Sequence, residues 1–174
     1  MAQNIYKFNI LLFLFFLGSL QNNVYSQPQL PQHTISVTPT QSIHFGTICL
    51  SNMNGSGGTV TVDWQGNRTS TGDVILLSAV PTSQPAIFDI QLCQGRNVII
   101  TYSASTTLTG SNGGSMIMNL GPSEKGPSGT SFEVNNDCDF ITQLRMGGTL
   151  VVGNNGANPG GVYTGTFNIT FNQE

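Results

Sequence analysis

Segment 160–171 alternates strictly. Tyr163, Gly165, Phe167, Ile169 and Phe171 share one parity; Thr164, Thr166, Asn168 and Thr170 share the other. Period-two alternation marks a strand with one face buried and one face wet. Such a segment must join a sheet, because its backbone N–H and C=O groups need partners. Tyr163, Gly165, Phe167, Ile169 and Phe171 are therefore expected to form a terminal core strand.

The same period recurs upstream. Val60, Val62 and Trp64 alternate with Thr59, Thr61 and Asp63, and Gln65-Gly66-Asn67 supplies a turn before the chain returns through Arg68 to Ser70. Residues of this kind on either side of a Gly-containing turn predict a hairpin. Phe88, Ile90 and Leu92 alternate, as do Met116, Met118 and Leu120. Shorter apolar runs fall at 35–37, 43–45, 74–77, 98–102, 132–134, 140–146 and 149–152. Residues 103–115, 121–129 and 153–161 are polar or Gly/Pro-rich and read as connections. With about ten short strands separated by turn signals, the expectation is an all-β sandwich or barrel in one domain.

The N-terminal region reads differently. Lys7 precedes the apolar run Phe8 to Leu17, broken only by Asn9, and Val24-Tyr25-Ser26 closes the segment before Gln27. A run this short falls well below the ~20 residues of a spanning helix. It reads as a cleaved secretory signal over 1–26. A Pro-containing flexible leader over 27–33 and a β-sandwich domain over 34–174 follow, with no membrane span after signal removal.

Charge narrows the partners. Only 7% of residues are charged, against about 25% in an ordinary soluble domain. Without Lys7 the mature chain holds four cations and eight acids, a net charge of −4. No basic patch offers itself to nucleic acid or anionic lipid. Three cysteines, Cys49, Cys93 and Cys138, leave one over in any single bridge. Export would permit a disulfide. Cys49 and Cys93 are a candidate pair and Cys138 an alternative partner; three buried free thiols are the remaining reading. Cys93 falls off the apolar parity of Phe88, Ile90 and Leu92.

No motif carries catalysis. A triad needs a base, and His33 lies in the leader while His44 has the outward parity between Ile43 and Phe45. No Cys or His spacing suits zinc. Asn135-Asn136-Asp137-Cys138-Asp139 lacks the spacing and bidentate Glu of a calcium loop and reads as a polar turn. The Gly-rich stretches at 110–114 and 153–161 lack the Gly-Lys-Ser/Thr of a phosphate loop. Trp64 shares the parity of Val60 and Val62, so packing is favoured over sugar stacking. Asn54, Asn67 and Asn168 open glycosylation-type triplets. No catalytic residue, metal site or cofactor is expected, and the chain is not read as an enzyme.

Five short motifs occur in order: Ile43-His44-Phe45-Gly46, Gly57-Gly58-Thr59-Val60-Thr61-Val62, Pro85-Ala86-Ile87-Phe88, Gly147-Gly148-Thr149-Leu150 and Gly161-Val162-Tyr163-Thr164-Gly165-Thr166-Phe167. In this order they resemble the bacterial secreted family of unknown function DUF4402, from about Thr34 to Glu174. The resemblance implies a single Ig-like, pilin-like antiparallel β-sandwich. It also implies the periplasm or outer surface of a Gram-negative bacterium. It transfers no catalytic residue and leaves the cysteine pairing open. The expected role is structural or adhesive, with β-strand addition to other subunits or surface glycans as partners. An extracellular carbohydrate- or ligand-binding module is the alternative. Ile35 and Val37 are candidate donor residues if the first strand joins a neighbour; pairing within its own domain is the favoured expectation.

Overall fold

The computed structural model describes residues 34–52, 55–93, 97–135 and 137–174. The signal and leader expectations, including His33, lie outside these residues, as do Asn54, the Gln94-Gly95-Arg96 turn and Asn136. Among the described residues the chain forms thirteen strands and no helix. No described helix is long and apolar enough to cross a membrane. Every ladder is antiparallel, and the strands pack as a β-sandwich.

The sandwich has two adjoining cores. In the first, β1 (Thr34–Gln41), β6 (Ala86–Cys93) and the start of β11 (Thr142–Val152) form one layer. A three-stranded sheet of β10 (Ser131–Glu133), β7 (Asn97–Tyr102) and β13 (Ile169–Gln173) supplies the other. Phe88, Ile90, Leu92, Leu144 and Met146 meet Val98, Ile100 and Phe132 between them. β6 alternates buried and half-buried along its whole length, as its sequence period requires.

In the second core, β3 (Gly58–Val62), β4 (Arg68–Gly72), the end of β11, β9 (Ser115–Ser123), β8 (Ser105–Gly110) and β12 (Tyr163–Thr164) make the large layer. The short pair β2 (Ile48–Leu50) and β5 (Val74–Leu76) covers part of it. Val60, Val62, Leu108, Met116, Met118, Leu150 and Val152 pack with Phe45 and Val74. Ile43, Leu120 and Phe167 pack against both cores. They couple the two halves.

β11 joins the halves through its backbone. Its residues 142–146 pair with β6 and its residues 148–152 with β3. The change falls at Gly147-Gly148, where the ladder to β9 also shifts register. A Cβ on Gly147 would lie 2.4 Å from the Val62 carbonyl oxygen. Glycine is required because three backbones converge there. The sequence reading split this region into two strands at the same glycines; the structure carries one strand through them.

The terminal strand differs from expectation. It is two strands, not one. β12 pairs with β8 in the large layer, and β13 pairs with β7 in the other sheet. Residues 165–168 cross between layers. The alternation breaks at Gly165 in the crossing and holds from Phe167 to Phe171. Tyr163, Phe167, Ile169 and Phe171 are half-buried against the cores. Gly165 is exposed, and a Cβ there would lie 2.6 Å from Leu108 Cδ2. At the other end of the domain, β1 pairs with β6 from Thr34↔Cys93 to Gln41↔Ile87. Ile35 and Val37 pack against the first core of their own domain.

Candidate functional site

The residues of the family-like motifs hold backbones together. His44 exchanges two backbone hydrogen bonds with Gln84, each 2.8 Å. Its Nδ1 accepts from the Gly46 N–H at 2.9 Å, and the side chain is half-buried where solvent exposure was expected. Phe45 is core. Gly46 has φ +74°, and a Cβ there would lie 2.3 Å from Arg68 Nη1. The space is used by the Arg68 guanidinium, which donates to the carbonyls of Phe45 (3.0 Å), Thr47 (3.4 Å) and Leu77 (2.8 Å). Arg68 thus ties β4 to the segments flanking the β2–β5 pair. The motif needs glycine for its φ and for the cation beside it.

Gly57 and Gly58 act similarly. Cβ atoms on them would lie 2.1 Å from the Val152 carbonyl oxygen and 2.0 Å from that of Thr71. In the turn that follows β3, the Asp63 carboxylate accepts from the backbone of Gln65 (2.9 Å) and Asn67 (2.8 Å) and from Asn67 Nδ2 (2.8 Å). The Asn67 side chain, followed by these backbone donors, holds the carboxyl below its ordinary range. Trp64 sits half-buried in this turn.

One end of the sandwich is pinned by a residue that gave no sequence signal. Asn158 is buried in the Gly-rich 153–161 loop. Its Nδ2 donates to the carbonyls of Ser115 (2.6 Å) and Ala157 (3.1 Å), and its Oδ1 accepts from Gly153 N–H. Tyr163 Oη donates to the Pro159 carbonyl at 2.7 Å. Asn112 Nδ2 reaches the Gly160 carbonyl at 2.7 Å. On the other side, burial pushes the Tyr102 hydroxyl above its ordinary range, opposed by hydrogen bonds at Ser123 and Ser128.

The cysteines pair as Cys93–Cys138, leaving Cys49 exposed and free on β2. The Cys49–Cys93 pairing is not formed. Cys93 does lie off the core parity, at the half-buried outward end of β6. A bridge to an exposed loop needs that direction, not the core one.

Chemistry-bearing side chains do not gather. Among the described residues no group of three His, Cys, Asp or Glu is placed to hold a metal ion. Two side-chain oxygens of the Asn135–Asp139 segment are used locally: Asn135 Oδ1 accepts from Asp137 N–H (2.9 Å), and Asp137 Oδ1 from Asp139 N–H (3.1 Å).

What remains open is a face. The inward side chains of β3, β11 and β9 place their neighbours on the outer surface. The register lines these up in rows. One row runs Thr71–Thr59–Val151–Ile117–Thr107, and the next Thr69–Thr61–Thr149–Asn119–Ser105. Neither row contains a charged residue. Hydroxyls pair across strands, Thr59 with Thr71 at 2.7 Å and Thr61 with Thr149 at 2.9 Å. Ile117 and Val151 are about half exposed, at 51% and 39%. This face is the candidate interaction surface.

An antiparallel β-sandwich fastened by glycine-permitted backbone contacts, with an uncharged Thr-rich outer face, is the class these observations define. The chain belongs to the family described as domain of unknown function (DUF4402), which matches residues 35–172. No curated protein and no solved structure matches the chain.

Proposed function

We propose that this chain is a non-catalytic secreted or cell-surface protein with a structural or adhesive role, and that the uncharged Thr-rich face is its contact surface. The face carries the reading. Interface cores are distinguished from other surface by depletion of charge, and the rows from Thr71 to Thr107 and from Thr69 to Ser105 have none. The family-like motifs supply the complementary support. Gly57, Gly58 and Gly147 are spent on backbone approach, and Gly46 on a positive φ and room for the Arg68 guanidinium, which serves the scaffold.

The test is a Thr61→Lys/Thr149→Lys double variant, which puts two cations on the face without entering the core. Cells expressing it at wild-type surface level should lose self-association or substrate adhesion. Unchanged adhesion at equal display would refute the face as the contact surface. Recovery of the chain in the cytosol with residues 1–26 still attached would refute export.

A further inference from the structure

The bridge between Cys93 and Cys138 holds a loop whose other ties, among the described residues, are local. Cys93 ends β6 and pairs with Thr34 at the start of β1. Cys138 lies between β10 and β11 and is exposed, whereas Cys93 is half-buried. Val134 anchors one end of this loop in the first core, and β11 begins at Thr142. Between them, among the described residues, the hydrogen bonds stay inside the segment: Asn135 with Asp137, Asp137 with Asp139, and Phe140 N–H to the Asp137 carbonyl at 3.0 Å. Phe140 and Ile141 are 51% and 48% exposed, and neither packs into the two hydrophobic cores. Among the described residues, the covalent bond is the long-range tie of segment 137–141.

We propose that Cys93–Cys138 is a reducible clasp: a dithiol reductant opens segment 137–141 locally, through attack at Cys138, and leaves the sandwich folded. One thiolate of the reductant attacks Cys138 Sγ, the exposed sulfur, and forms a mixed disulfide there. Cys93 leaves as the thiolate and takes a proton from solvent. The second thiol of the reductant then displaces Cys138, so the dithiol is oxidised by two electrons to its own disulfide and the bridge is reduced by two. The oxidised form tethers the segment that carries the exposed Phe140 and Ile141 to the end of β6 through Cys138, and the reduced form frees it. The cores do not depend on the clasp. β6 remains zipped to β1 and β11, and β10 to β7, by their ladders.

The experiment uses a Cys49→Ser chain, which removes the unrelated thiol. Hydrogen exchange is followed by mass spectrometry with and without dithiothreitol. Amides in 137–141 should lose protection at least about ten-fold, while those of β3, β9 and the middle of β6 stay within about two-fold, as local opening requires. Uniform loss over the domain would overturn the proposal by making the bridge a staple of the whole fold, and so would unchanged exchange in 137–141. Limiting glutathione with rapid alkylation gives an independent readout. The glutathione adduct should sit on Cys138; an adduct predominantly on Cys93 would overturn the stated direction of attack.

Discussion

Phe167→Ala tests the coupling between the two cores. Phe167 lies in the crossing between β12 and β13 and packs against both hydrophobic clusters. Its ring meets Phe88 edge to face, centroids 6.4 Å apart and planes at 81°. Truncating a buried Phe to Ala costs about 3–5 kcal/mol, and the partial exposure of Phe167 places it at the low end, about 3 kcal/mol. The edge-to-face contact with Phe88 accounts for about 1 kcal/mol of that. In a domain of this size the melting temperature should fall by about 6–12 °C. Urea unfolding should show a lower midpoint and an unchanged slope, because Ile43 and Leu120 still bridge the halves. Phe171→Ala is the control. Phe171 also meets Phe88, at 5.9 Å, but packs in the first core alone. Hydrogen exchange should therefore show Phe167→Ala loosening both β3 and β7, and Phe171→Ala loosening β7 alone. A Phe167→Ala change under about 1 kcal/mol, or loosening confined to one core, would refute the coupling.

Gly46→Ala should destabilise by about 1–3 kcal/mol, since it combines a positive φ with displacement of the Arg68 guanidinium; chemical denaturation measures it, and Arg68→Met should account for part of the loss. Asn158→Ala should cost about 1–3 kcal/mol by leaving Gly153 N–H and the Ser115 carbonyl without their partner, with exchange rising at the 153–161 loop. The lowered pKa of Asp63 sets a direction with pH. Its contribution is present above the ordinary value of 3.8 and is lost as pH falls through the lower folded value. Asn67→Ala should weaken that acid dependence in an NMR titration. Tyr102 runs the other way: its folded pKa lies above 10.0, so its contribution is present below 10.0 and is lost as pH rises through the folded value. Tyr102→Phe should remove that alkaline limb.

Strands with a strong apolar parity were legible in the sequence. The β3–β4 hairpin, β6 and β9 fall where Val60 and Val62, Phe88 to Leu92, and Met116 to Leu120 place them. β8 was not legible. Its sequence Ser105-Thr-Thr-Leu-Thr-Gly110 buries only Leu108, so it reads as a polar connection, and the neighbouring β9 makes it a strand. The Gly147-Gly148 pair looks like a break because glycine has weak strand propensity. Its role is visible only when Val62 and Asn119 are seen to crowd it. In the C-terminal alternation Tyr163, Phe167, Ile169 and Phe171 are half-buried and Gly165 is exposed; period cannot say where a chain crosses between layers or which sheet a residue joins. Tyr163 and Phe171 share a parity and pair in different layers.

That limit bears on function. The motifs by which the chain resembles its family include positions with strict steric demands: Gly46 beside Arg68, Gly57 against Val152, Gly58 against Thr71, and Gly147 against Val62. Such positions tolerate little replacement, so they dominate any pattern recognised in the sequence. A flat face of threonines makes no such demand. Serine, valine or asparagine fits the same pleat, as Val151, Ile117, Asn119 and Ser105 show within the two rows. Binding by the proposed contact face would depend on the absence of charge from its rows, and not on any one residue. Single Thr→Ser or Thr→Val substitutions there should therefore leave binding near wild type, whereas one lysine in the middle of a row should not. A Thr61→Val variant that abolished adhesion would show that a specific hydroxyl is recognised and that the uncharged-face argument is wrong.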